Sequence, residues 1–157
     1  MKAENDAVFQ TFPLAPEHVA RLKALEEATG LPFWGADNYR RFLEESHDYF
    51  GFCLILETGE KRLAGFSLAR AAFEDMELLK IGIAPEYQRL GFGSRIFKRT
   101  IAEGNRRGCT RCFLEVRKSN QNAIRFYSVQ DFQIAGARLN YYTNPVEDAW
   151  IMERQIA

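Results

Sequence analysis

Cysteine and histidine are nearly missing from this chain. Three cysteines, Cys53, Cys109 and Cys112, and two histidines, His18 and His47, are spread over 157 residues. An odd, sparse set of thiols is no disulfide framework and suits a reducing compartment. Cys109 and Cys112 do form a C-x-x-C. A redox pair would open a helix, and a zinc site would need two further ligands. This pair runs into the apolar stretch CFLEV instead, with both histidines far away in sequence, so it reads as buried or half-buried thiols. The histidines lie in polar, helix-like surroundings and read as surface or capping groups. No metal is expected.

Net charge is absent too: 21 Lys+Arg balance 21 Asp+Glu. Binders of a bulk polyanion such as duplex DNA carry a basic excess, so no nucleic-acid partner is expected. No apolar run approaches the roughly 18 residues of a membrane span. The N-terminus, MKAENDAVFQ, lacks the apolar core of a secretory leader. The expectation is a cytoplasmic protein without a membrane partner, monomeric or weakly dimeric. Repeats, low-complexity tracts and linkers are also lacking, and residues 1–157 read as a single domain long enough to bury its own core.

What is present is an alternation of strand and helix patterns. AVFQTF reads as a strand, and APEHVARLKALEEATG as an amphipathic helix through Val19, Leu22 and Leu25, interrupted by Glu26 and stopped by Gly30. ADNYRRFLEESHDYF reads as a second helix, with Tyr39, Phe42 and Leu43 on one face and Asp37 as its cap. FCLILE and RLAGFSLARAAF are strands joined by the turn TGEK. MELLKIGIA is a strand ended by Pro85. GSRIFKRTIAEGNRRG is a helix with Ile96, Phe97, Thr100 and Ile101 inward. CTRCFLEV is a strand, SNQNAIRFYSVQ a helix capped by Ser119 or Asn120, and FQIAGARLNYY and DAWIMERQI are closing strands. Strands bracketing helices in this order indicate one α/β (α+β) domain with a mixed sheet.

One stretch asks for more than packing. PEYQRLGFGSRI places Gly91 and Gly93 between a strand and a helix, just after Arg89. Unpaired amides at a helix N-terminus and the helix dipole favour an anion, and glycines let a phosphate approach closely. The segment from Arg89 through Leu90, Gly91, Phe92 and Gly93 to Ser94 is therefore a candidate diphosphate cradle, with a tight packing turn as the alternative. It is not a P-loop, which needs Gly-Lys-Ser/Thr, nor the dinucleotide fingerprint, whose third glycine is replaced by Ile96.

Gln88-Arg89-Leu90-Gly91-Phe92-Gly93, following Ile81-Gly82-Ile83-Ala84-Pro85, resembles the acyl-CoA signature of the GNAT acetyltransferase superfamily. LEVRKSNQNAIRFY, with ARLNYY and EDAWIM after it, is similar more particularly to the ribosomal-protein-alanine N-acetyltransferases, over roughly residues 74–153. The resemblance implies a mostly antiparallel central sheet of about six to seven strands with helices on both faces. It implies acetyl-CoA as co-substrate and the N-terminal α-amine of a ribosomal protein as acceptor. It also implies main-chain donors at Ile81, Gly82 and Ile83, where the strand bulges and parts from its neighbour, and a cofactor contact at Asn120.

Two side chains suit the chemistry. Glu115 breaks an apolar strand, and an acid in such surroundings has a raised pKa suited to base work; the bland reading is a pair with Arg117 on the same face. Tyr127 lies two helical turns after Asn120, and a phenol can protonate a departing thiolate; the bland reading is a core aromatic. In the resembled family the glutamate is the general base and the tyrosine the general acid. The family has a glycine where Asp131 stands, so the end of the Tyr127 helix is expected to be altered. Trp34, Tyr141 and Tyr142 are candidates for an acceptor pocket. A small amine, an antibiotic or a lysine side chain is the alternative acceptor. A non-catalytic acyl-CoA sensor is the alternative of another class.

Overall fold

The computed structural model describes residues 9–31, 34–57 and 62–157. The expected TGEK turn, residues 7–8 of the first expected strand, and Pro32 and Phe33 lie outside the described residues. Strands β1 (Phe9–Pro13), β2 (Tyr49–Phe50), β3 (Phe52–Leu56), β4 (Arg62–Ala72), β5 (Asp75–Ile83), β6 (Arg111–Arg117), β7 (Gln133–Tyr142) and β8 (Glu147–Gln155) make one sheet. Its order is β1-β3-β4-β5-β6-β8-β7, with β2 beside β4. Every pairing is antiparallel except β5 with β6. Helices α1 (Val19–Thr29) and α2 (Ala36–Glu45) cover one face, and α3 (Phe92–Arg106) and α4 (Gln121–Val129) the other.

The faces follow from the side-chain periods. In α3, Phe92, Ile96, Phe97, Thr100 and Ile101 are buried, as their spacing predicts. Thr100 belongs to a buried polar link: its hydroxyl lies 2.7 Å from that of Ser67, which accepts the Phe52 amide. In β6, Cys112, Leu114 and Val116 alternate into the same core. All three cysteines are free and buried, in keeping with the structural reading of C-x-x-C. His18 is a capping group, its Nδ1 accepting the Ala15 amide at 3.0 Å.

Two helix expectations are corrected. The second helix ends at Glu45, and Tyr49–Phe50 form a short strand on β4. The aromatic spacing misled because the chain turns back and stacks Tyr49 on Phe42, with ring centroids 4.4 Å apart. Its N-cap is Gly35, at φ 79°; Asp37 sits in the first turn with its carboxylate 3.7 Å from Arg40.

Glu26, the apparent flaw in the apolar face of α1, is buried and paired. Its Oε2 lies 3.4 Å from Lys80 Nζ of β5, both side chains 2% exposed, and accepts the Trp34 amide at 3.0 Å. Lys80 Nζ stands over the rings of Trp34 and Tyr39, 4.8 and 5.3 Å from their centroids. Burial lowers the Lys80 pKa to about 8, against the partly offsetting charge of Glu26. The Tyr39 hydroxyl faces the same carboxylate outside hydrogen-bond geometry, and burial followed by that carboxylate raises its pKa. This cluster ties α1 and α2 to the strand that borders the site. Lys80→Met should destabilise the protein by about 3–5 kcal/mol in urea unfolding, because it strands a buried carboxylate. Lys80→Met combined with Glu26→Leu should recover most of that loss.

Candidate active site

The parallel pairing of β5 with β6 is short. Asp75, Met76 and Glu77 oppose Arg111, Cys112 and Phe113, and beyond that the strands separate. Leu78–Ile83 then face β6 across a groove. Alternate amides of an antiparallel strand point away from its partner, so some main-chain donors of the Lys80–Ile83 stretch turn into this groove. The expected parting is therefore present, while the bulge sits elsewhere. Leu68 pairs with Lys80 and Ala69 with Leu78, which leaves Leu79, not Gly82, as the extra residue. At Gly82 the constraint is a close approach: a Cβ there would meet Leu31 Cδ1 at 2.8 Å.

The glycine turn closes one end of the groove. Arg89, Leu90 and Gly91 are exposed, Gly93 and Ser94 are partly so, and only the Phe92 side chain is buried, packed on Phe9. Arg89 and Gly91 have φ of 62° and 86°, while Leu90 between them and Phe92 after them do not have positive φ. Alternation of this kind turns successive amides to one side, the geometry of an anion-binding nest. Arg95 N–H to Gly91 O, at 3.2 Å, is the first bond of the α3 ladder, so the amides of Phe92, Gly93 and Ser94 precede it. Free amides, a helix dipole and the Arg89 charge together fit a diphosphate. Ser94 Oγ accepts from Gln130 Nε2 at 2.8 Å, which joins the start of α3 to the end of α4. Asn120 does not join this cluster. It caps the opposite end of α4 by accepting the Ala123 amide at 3.1 Å.

Glu115 and Tyr127 approach the groove from opposite faces of the sheet. Glu115 projects toward the α1–α2 side, its side chain 10% exposed, with Oε1 2.6 Å from Arg138 Nε. Arg117, its expected partner, is engaged by Glu147 and by the carbonyls of Thr143 and Pro145. Register explains the exchange. Arg138 of β7 aligns with Ala149 of β8, a small residue over which a long side chain can cross to β6. The slip in β7 register between Arg138 and Tyr142 re-aims Tyr141. The Tyr141 pKa is pushed up to about 12, chiefly because its hydroxyl donates toward Glu115, with burial second.

Tyr127 packs edge-on against Phe126 and Phe132, with centroids 5.4 and 5.7 Å away. Burial, then the nearness of Cys112 and Tyr142, raises its pKa, so it holds its proton throughout the neutral range. Tyr142 is also raised, by burial and then by Glu115. Its hydroxyl thus senses both candidate groups. Trp34 lies over Lys80 as a wall of the α1–α2 side. Arg138, Glu77 and Lys80 escaped the sequence reading; an acidic residue alternating with apolar ones in MELLKIGIA was the one available signal, and it marks Glu77. Two shallow hollows elsewhere, against Gln133–Ala135 and beneath Phe73, are separate from the groove.

The end of α4 is built despite Asp131. At φ 67° it occupies the left-handed position, with Phe132 N–H bonded to Tyr127 O and Asp131 N–H to Ser128 O, at 3.0 and 3.1 Å. Those bonds and the Tyr127–Phe132 ring contact make a Schellman termination that fixes the tyrosine.

Main-chain donors beside a split sheet, a glycine turn suited to an anion, and a carboxylate and a protonated phenol on the sheet's two faces fit an acyl transfer. The model of the acetyltransferase (GNAT) family matches residues 19–132. The chain is 36% identical over 102 residues to the [ribosomal protein bS18]-alanine N-acetyltransferase of Escherichia coli K12, covering 64% of this chain and 69% of that one. A Bacillus subtilis protein provisionally given the same name is 30% identical over 137 residues, 87% of this chain and 88% of that one. The crystal structure of the Escherichia coli enzyme superposes with a TM-score of 0.81 at 28% identity, covering 95% and 94% of the two chains. The chain belongs to the GNAT family and is an N-acetyltransferase.

Because Asp131 carries the left-handed strain of a non-glycine residue, Asp131→Gly should stabilise the protein by about 1 kcal/mol, read as a higher Tm. Turnover should stay within twofold of the parent, since the bonds that hold Tyr127 are main chain.

Proposed function

We propose that this enzyme transfers acetyl from acetyl-CoA to the α-amine of a protein N-terminus, that of a ribosomal protein being the foremost candidate. The observation that carries the reading is the placing of Glu115. It is a nearly enclosed carboxylate on the α1–α2 face of β6, beside the point where β5 and β6 part. The names of the Escherichia coli and Bacillus subtilis relatives support the acceptor class.

Each proposed role follows from environment. The nest from Arg89 to Ser94 binds the diphosphate, and the main-chain donors of Ile81, Gly82 and Ile83 orient the thioester and stabilise the developing oxyanion. An α-amine titrates near pH ~8, so it arrives largely as an ammonium and must lose a proton before attack. Glu115 takes that proton. The amine nitrogen bonds to the thioester carbonyl carbon, the carbon–sulfur bond breaks, and Tyr127 gives its proton to the thiolate. The second proton that nitrogen sheds as the amide forms restores the Tyr127 phenol, and the proton on Glu115 passes to solvent. The products are an amide and a free thiol. Net proton movement is one proton from amine to sulfur and one from amine to solvent.

Thiol release with an N-terminal alanine peptide tests this function. Turnover on the peptide supports it; turnover on small amines or lysine side chains alone replaces the acceptor; acetyl-CoA binding with no turnover on any amine makes the protein a sensor. Tyr127→Phe should keep acetyl-CoA affinity within twofold and slow turnover about tenfold or more, and Glu115→Gln should lower kcat/KM about a hundredfold. Unchanged turnover in either variant removes that residue's role.

A further inference from the structure

The floor of the acceptor side carries two carboxylates. Glu77 ends the paired part of β5 opposite Phe113, and Glu115 follows two residues later on the same face of β6. The groups facing Glu77 come from three strands: Glu115 of β6, Arg70 of β4, and Arg138 and Tyr141 of β7. Burial first and Glu115 second raise the Glu77 pKa, and the two arginines oppose that. Like charges so placed are eased by cations beside them: Arg70 lies across from Glu77 in the β4–β5 ladder, and Arg138 pairs with Glu115.

Arg138 differs from the two arginines that end β6. Arg117 is held by a carboxylate and two carbonyls, and Arg111 grips Asp75 through two nitrogens at 2.9 and 2.8 Å. Arg138 is 54% exposed, pairs with Glu115 and lies over the Tyr141 ring, 5.7 Å from its centroid. It reaches its position from two strands away. A side chain held so lightly over a nearly enclosed base occupies the place that an incoming amine has to take.

Resting on the proposed amine acetylation, we propose that Arg138 stands in for the acceptor's ammonium before the acceptor binds and that Glu77 is the second carboxylate that receives the ammonium. When the acceptor binds, one cation replaces another over the same pair of carboxylates. Arg138 moves out to solvent, and the charge on the floor is conserved. The amine is then held as its cation by Glu77 while Glu115 takes the proton. The specificity that follows is for amines bound in the charged form. Neutral nucleophiles such as alcohols, which cannot replace Arg138, are rejected.

Steady-state kinetics on the alanine peptide at pH 7, with calorimetry of peptide binding in the absence of thioester, test the exchange. Arg138→Gln removes the competing cation and should lower peptide KM and Kd about fivefold, the worth of one partly exposed charge contact. Its KM for acetyl-CoA should stay within twofold. Arg138→Lys should restore the parental values. Glu77→Gln should raise peptide KM about fivefold at unchanged acetyl-CoA KM. It should also extend the acid limb of kcat/KM to lower pH, because a carboxyl of raised pKa no longer has to ionise. Melting temperatures of the three variants show whether each is folded. If Arg138→Gln weakens peptide binding, or leaves it unchanged in a folded protein, the exchange is wrong and Arg138 only braces β7 against β6. A parent protein that acetylates no amine at all refutes the underlying function instead.

Discussion

The structure turns on a sheet that begins to pair and then stops. β5 and β6 are the only parallel neighbours, and they share three residue pairs before diverging. Ordinary sheets do not tolerate this, since every main-chain N–H and C=O left without a partner costs free energy when buried. Here the cost is contained by keeping the opening at one edge of the domain and bracing both lips. β5 is laddered to β4 on its other side except at the Leu79 bulge, and β6 is laddered to β8 along its whole length. The unpaired donors in between become a binding surface. In the proposed function an extended ligand that offers carbonyls there would complete the sheet, and the glycine turn beyond the same strand would take the negative charge.

The two faces of that opening differ in dielectric character, and the difference is consistent with the proposed proton roles. On the α3–α4 face Tyr127 sits among Phe126, Phe132 and Cys112, where a phenolate is strongly disfavoured. On the other face Glu115 is accompanied by Arg138, Tyr141 and Glu77, all charged or hydrogen-bonding. A group that must keep its proton until the last step belongs in the first environment, and one that must accept a proton from a cation belongs in the second. Reversed roles would ask an apolar pocket to hold a charge at rest and a polar one to withhold it.

Much of this was legible in the residues. The α3 face, the exposed glycine turn and the thiol burial rest on local pattern, and local pattern survives folding, whereas the roles expected of Glu115 and Tyr127 came from the family resemblance. Asp131 in a left-handed conformation follows from the tolerance of aspartate for it. What could not be read were pairings that depend on sheet order. Glu115 lies two residues from Arg117 and 23 from Arg138, and only the insertion of β8 between β6 and β7, with Ala149 in the row, makes the distant arginine the partner. Glu26 looked like a defect in an amphipathic helix because its partner, Lys80, lies on a strand 54 positions later. The bulge was sought at Gly82 because glycine permits one; it formed at Leu79, while Gly82 is explained by the Leu31 side chain resting on it.

That contact and the Glu26–Lys80 pair bear on the same question, which is how the acceptor wall is held without being welded to the groove. Trp34 and the end of α1 are tied to β5 through one carboxylate, one ammonium and two aromatic faces. An apolar contact of equal volume would be at least as stabilising. An ion pair adds direction, because the carboxylate accepts the Trp34 amide on one side and meets Lys80 on the other, so the wall has a single seat. The neighbouring residue on β5 is Ile81, where the main-chain donors for the thioester begin. A shift of the wall therefore strains the donor strand directly. In the proposed function the buried pair would couple the fit of the acceptor to the alignment of the acyl group, since it joins Trp34 to the strand that carries the proposed donors.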